Sequence, residues 1–190
     1  MAYKARDYSY LIGIDGLSET LLKNHFTLYQ GYVTNTNKVI DSLTAMLKEG
    51  KTTSPEYAEL KRRFGWEFNG MRLHEFYFEN LICPTPRPDA VTKKLADAFG
   101  SYEDWGEDFK ATGAIRGIGW VILYRDDATR NLCNLWVNEH DVGHLAGCSP
   151  ILVMDVFEHA FITDYGLKRA DYISAFFENI DWNRVARRLE

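Results

Sequence analysis

A chain of 190 residues with 46% hydrophobic and 14% aromatic side chains can bury a real core, which excludes a disordered segment and leaves one large domain or two small ones. A formal net charge of −5 without a long basic cluster argues against a general nucleic-acid or membrane-surface partner, and no apolar run reaches spanning length. Three cysteines without CxxC spacing (Cys83, Cys133 and Cys148) read as free thiols, and the first residues lack the apolar core of a secretory signal, so a cytoplasmic location is expected.

Ser18 is placed to cap a first helix whose apolar residues (Leu21, Leu22, Phe26, Tyr29, Val33, Ile40, Leu43 and Leu47) recur at helical intervals until Gly50. Ser54 and Pro55 open a second helix, and a third is expected from about Trp66 to Leu81. Three prolines in residues 84–88 cannot continue a helix, so they mark a linker between an N-terminal helical hairpin domain (1–83) and a C-terminal α+β domain (89–190). Beyond the linker, Asp89 to Phe99 reads as a helix stopped by Gly100, and Ser101 with Asp104 caps another. The period then changes. Trp120–Tyr124 and Leu132–Val137 flank a polar turn as a β-hairpin, Ile151–Phe157 supplies a third strand of an antiparallel sheet, and Asp171–Leu189 returns to helix.

The run from Pro150 to Ala160 sets Asp155, Glu158 and His159 in a stretch otherwise fit for a core. A buried carboxylate is costly unless it is paired or metal-bound, and no Lys or Arg lies within nine residues of Asp155. Asp and His are good ligands for first-row metals. A capped Asp with a core histidine explains the segment equally well. The chain has only five histidines, and His25 and His74 both sit in apolar helical patterns. With Asp155 and His159 they make a possible three-His, one-Asp set drawn from three separated segments.

Asp155-Val156-Phe157-Glu158-His159-Ala160 resembles the D-x-[WF]-E-H-[AS] signature of the iron/manganese superoxide dismutases. Phe68-Asn69-Gly70 with His74, Gly117-Ile118-Gly119-Trp120, Tyr32-Val33-Thr34-Asn35, Arg169-Ala170-Asp171-Tyr172 and Asp181-Trp182 follow in the family's order over roughly residues 18–190. The resemblance implies one iron or manganese ion per subunit, held by His25, His74, Asp155 and His159. The implied metal cycles between divalent and trivalent states while superoxide becomes dioxygen and hydrogen peroxide. It also implies an antioxidant enzyme that assembles as a homodimer or homotetramer.

The family's channel Tyr carries over to Tyr32, and its aromatic wall to Trp120 and Phe78. The family spacing from ligand to channel Tyr is one residue longer than His25 to Tyr32, so a one-residue deletion is placed after His25, leaving Asn24 outside the site. A Gln that contacts metal-bound solvent in the family is absent: Gly70 stands at one of its two positions and His140 at the other, which assigns His140 to that contact. Gly70 leans toward the manganese pattern, whereas His140 occurs with iron or with either metal. The resemblance also implies an interface role for Glu158 and a superoxide-steering role for Arg169, and leaves His144 structural. Leu28 and Ile162 stand where the family pairs a channel His with a Tyr of the partner subunit. Their loss keeps open a low-activity or non-catalytic metal-binding relative, and a metal hydrolase with the same ligands is the remaining alternative.

Overall fold

The computed structural model describes residues 2–190. Helix α1 runs Glu19–Lys48, with the Ser18 hydroxyl accepting the backbone N–H of Leu21 at 3.1 Å. Its buried face is Leu21, Leu22, His25, Tyr29, Val33, Thr36 and Val39, the one stripe that a 3.6-residue period can present to a partner helix. Gly50 then adopts a φ of 71°, a left-handed turn that reverses the chain.

Helix α2, Pro55–Glu79, starts at the Ser54 cap, and the separate third helix expected from Trp66 does not exist: the chain continues unbroken. Gly65 and Gly70 lie within this helix at a cost in helix propensity of about 1 kcal/mol each. At Gly70 close packing explains the residue, since a Cβ there would lie 2.5 Å from Cδ1 of Tyr32 on α1. The two long helices form the expected antiparallel hairpin.

After the proline-rich segment come α3, Asp89–Phe99, and α4, Tyr102–Gly113, the latter capped by Ser101 accepting the Asp104 N–H at 2.9 Å. A three-stranded antiparallel sheet follows in the order β2-β1-β3, with β1 Gly119–Asp126, β2 Leu132–Asn138 and β3 Cys148–Asp155. The third strand therefore begins three residues earlier than expected and ends at Asp155 rather than Phe157. Pro150, which has no N–H to give, is accommodated at the register shift beside Leu123 and Tyr124.

The short α5, Ile162–Tyr165, precedes α6, Arg169–Glu178, and α7, Trp182–Leu189. The single helix expected over Asp171–Leu189 is broken because Ile180 bridges to Leu81 and the Asp181 carboxylate turns to cap α7 through Asn183 and Arg184, both at 3.0 Å. The α+β architecture, with the helical hairpin first and the sheet second, is as expected. Asn80 donates to the Val153 carbonyl at 2.7 Å, and Arg188 pairs with Glu79 at 2.9 Å, which ties the end of α2 to β3 and α7. The end of β3 is thereby brought against the hairpin.

Candidate metal centre

Four donors from four elements meet where β3 ends. His25 comes from α1, His74 from α2 and Asp155 from the last position of β3. His159 comes from the 3₁₀ turn Glu158–Ala160. Their ligand-type atoms all lie within 4.8 Å of one another. The Nε2 atoms of His159, His25 and His74 approach Oδ2 of Asp155 at 3.1, 3.2 and 3.7 Å. An ion with bonds of about 2.1 Å holds donors roughly 3.0 Å apart at right angles and roughly 3.6 Å apart at 120°, so these separations fit one first-row metal. His74 Nε2 is buried without a hydrogen-bond partner among the described residues, which is costly unless a cation takes its lone pair.

The remaining atoms of the ligands are fixed from outside. His74 Nδ1 donates to the Gly70 carbonyl at 2.5 Å, one turn back on α2, so its Nε2 is left unprotonated and turned inward. Asp155 Oδ1 accepts the Phe157 N–H at 2.8 Å, leaving Oδ2 for the centre, and the Asp155 carbonyl accepts from Tyr172 at 2.6 Å. Burial opposes charge on Asp155, yet the His159 and His25 rings hold its carboxyl well below the ordinary range. Burial pushes His25 down, and His74 further, so both favour the neutral imidazole a metal needs.

Beside the ligands, Tyr32 Oη and His140 Nε2 are 2.7 Å apart, and the Trp120 indole N–H donates to His140 Nδ1 at 3.1 Å. Indole N–H is a donor only, and burial pushes the His140 pKa down to about 4, so Nδ1 accepts and Nε2 carries the proton. His140 therefore donates to Tyr32, and the Tyr32 hydroxyl keeps its own hydrogen for another acceptor. Burial, with the nearby charge of Asp155, pushes the Tyr32 phenol up to about 12.

Phe78 is fully buried with its ring 4.9 Å from His25, and the Trp120 ring is 5.1 Å from His74, so the two expected wall residues do line the cluster. Phe157 stacks on both His140 and His159, at 4.8 and 5.3 Å. Asn24 is exposed, whereas His25 faces inward. Glu158 is exposed, without an ion-pair partner among the described residues. Arg169 spends both terminal nitrogens on the Ile115 and Gly117 carbonyls, each at 2.7 Å, and so clamps the loop before β1. Leu28 is half-buried and Ile162 exposed.

Two contributors, Trp66 and Tyr29, escaped the sequence reading. Trp66 packs its ring 4.7 Å from His140. Tyr29, one turn after His25, donates to buried Glu75 at 3.0 Å, and that spacing was the available signal. His144 takes the Tyr124 hydroxyl at 2.7 Å on one nitrogen and donates from the other to the His140 carbonyl at 2.8 Å, which braces the loop carrying His140.

Comparison with known proteins agrees with this geometry. The family profile described as iron/manganese superoxide dismutases, C-terminal domain, matches residues 87–188. Superoxide dismutase (Mn) 2 of Haloferax volcanii is 37% identical over 177 residues, covering 92% of this chain and 87% of that protein. The iron superoxide dismutase of Cupriavidus metallidurans is 37% identical over 182 residues, covering 93% and 90%. That of Aquifex aeolicus is 34% identical over 185 residues, covering 93% and 86%.

Proposed function

The chain belongs to the iron/manganese superoxide dismutases, and from that premise we propose which of its residues perform the dismutation of superoxide to dioxygen and hydrogen peroxide. The carrying observation is the convergence of three Nε2 atoms on Asp155 Oδ2. Iron or manganese held by His25, His74, Asp155 and His159, one ion per chain, supplies the one-electron cycling that dismutation requires. The hydrogen bonds to His74 Nδ1 and Asp155 Oδ1 aim the donor atoms and set their basicity. Phe78, Trp120 and Phe157 keep bulk water from the ligands and lower the local dielectric. Tyr32, freed of its bond duty by His140, holds a proton on Oη for the reduced substrate. Arg169 adds local positive charge to an acidic chain, which favours an anionic substrate.

The enzyme is read as a cytoplasmic antioxidant homodimer or homotetramer, with residues 1–83 and 89–190 as its two domains. What supports an interface at Glu158 is that His159 remains 29% exposed and makes its only side-chain hydrogen bond among the described residues to Asp155. Among the described residues no helix is long and apolar enough to cross a membrane.

The test is elemental analysis of the purified protein, followed by a superoxide assay after loading with iron or with manganese. One ion per chain and activity that depends on it are expected. Stoichiometric metal with no dismutation would support the non-catalytic alternative, and metal-dependent ester or phosphate cleavage the hydrolase.

A further inference from the structure

The donors of the centre are not held alike. Nδ1 of His74 and Oδ1 of Asp155 each have a main-chain partner, which turns the other atom of the group inward. Nδ1 of His25 is buried with no hydrogen-bond partner among the described residues. Its ring packs on Phe78 at 4.9 Å and on Tyr77 at 5.1 Å. Packing of that kind confines an imidazole but lacks the directionality of a hydrogen bond. Where Nε2 of His25 points therefore depends on how α1 lies against α2, the helix that carries His74, Tyr77 and Phe78.

One helical turn after His25, Tyr29 bridges the two helices. Its hydroxyl donates to Oε1 of Glu75, the chain neighbour of His74, at 3.0 Å. The same hydroxyl accepts the main-chain N–H of Arg6 at 3.0 Å, from the segment that crosses the hairpin ahead of α1. Glu75 is only 5% exposed, and its charge is tolerated because Oε2 meets Arg72 at 2.5 Å and Arg6 at 3.7 Å. The crossing segment is itself anchored. Asn37 on α1 exchanges two hydrogen bonds with the Tyr3 main chain, at 2.8 and 2.9 Å, and the buried Tyr8 ring packs on Tyr29 and Phe78 at 5.7 and 4.9 Å. Every side-chain oxygen of Tyr29 and Glu75 is thus matched, and a fully matched buried network holds its members in one arrangement.

We propose that Tyr29 and Glu75 are positioning residues: their hydrogen bond, closed from outside by the Arg6 N–H, fixes the setting of α1 on α2 and so aims Nε2 of His25. The proposal rests on His25 being a ligand. Neither residue is one of the four donors, and Tyr29 acts through the backbone of α1. Without the bond α1 is free to shift on α2, and His74 and Asp155 do not follow because their own bonds hold them. His25 then becomes the donor that lets go first, and the ion escapes faster.

Tyr29→Phe, Glu75→Ala and their double variant are loaded with manganese and compared with the parent. Ser101→Ala, which removes the cap of α4, serves as a control for lost stability alone. Loss of the ion to excess EDTA gives the release rate, and the electron paramagnetic resonance spectrum of bound manganese(II) reports the symmetry of its ligands. Each single variant is expected to release manganese about tenfold faster, the lower end of what an outer hydrogen bond to a metal site contributes, and to alter the zero-field splitting. The double variant should release it no faster than the faster single one, because both remove the same bond. Ser101→Ala should lower the urea midpoint while keeping the parent's release rate and spectrum. If Tyr29→Phe keeps both, or if Ser101→Ala speeds release as much, the positioning role is overturned. His25→Ala separates this from the ligand assignment. Metal content and spectrum equal to the parent's would remove His25 from the centre, and the proposal with it. Loss of metal there beside a parent-like Tyr29→Phe overturns the positioning role alone. Glu75→Ala carries the test if Tyr29→Phe does not fold, since Arg6 and Arg72 are both partly exposed and can turn to solvent.

Discussion

The ring of Tyr32 occupies the space that a side chain at residue 70 would need: a Cβ on Gly70 would come within 2.5 to 2.9 Å of three of its ring atoms. Gly70 also supplies the carbonyl that orients His74. Gly70→Ala should therefore displace Tyr32 and destabilise the fold by about 1–3 kcal/mol, the usual range for overpacking. Urea unfolding measures the stability and the Tyr32–His140 contact is read from a crystal structure; an unchanged midpoint with Tyr32 in place would refute the packing argument.

His159→Ala removes one donor from the cluster and the aromatic ring stacked on Phe157. Metal content and activity should both fall to background. A variant retaining one ion per chain and full turnover would sink the ligand assignment.

Glu158→Ala should leave the monomer's circular dichroism unchanged, because Glu158 is exposed and unpaired among the described residues. Sedimentation should nevertheless show a weakened assembly, with lower metal occupancy. An unchanged oligomer at full occupancy counts against the interface role.

His140→Gln replaces the ring that donates to Tyr32 and accepts from Trp120. A primary amide can make both bonds, so fold and metal stoichiometry should persist while the reduction potential and the iron-to-manganese activity ratio shift. His140→Ala should lower activity further and raise azide affinity. If both variants match the parent in potential, in activity with each metal and in azide binding, His140 does not act at the centre.

Acid should weaken the metal-free protein in a defined window. The folded pKa values of His25, His74 and His140 lie below the ordinary value of 6.5, that of His140 at about 4. The unfolded chain therefore binds protons first as pH falls. Stability is full above pH 6.5 and is lost as pH falls through about 4 for His140, which alone accounts for on the order of 3 kcal/mol. The depressed Asp155 carboxyl adds its loss only at still lower pH. The urea midpoint of metal-free protein should drop steadily between pH 7 and 4; a flat midpoint would contradict the buried neutral imidazoles.

Much of this was legible in the sequence. Ser18, Ser54 and Ser101 act locally, through a hydroxyl and an N–H a few residues on, so their caps could be read directly. The break at Ile180 could not, because its cause is a bridge to Leu81, far away in the chain. The reason glycine stands at position 70 was not legible either, because it is the ring of Tyr32 on another helix. The four candidate ligands could be picked out only by adding the resemblance to the sight of acid and imidazole in apolar surroundings, since a capped Asp and core histidines fitted those residues equally well. Trp66 and Glu75 could not be, since an aromatic or an acid on a helix carries no signal until its neighbour is known.

His25 and Asp155 are 130 positions apart in the chain, and the cluster needs both. The cluster is therefore complete only when the end of β3 lies against the helical hairpin. The growing or half-folded chain thus has no complete cluster with which to choose among metals. Which ion is bound should then follow which ion is abundant when the last strand settles. Refolding in mixtures of iron and manganese should give occupancies that track the mixture at that moment, and later exchange should be limited by reopening of the fold.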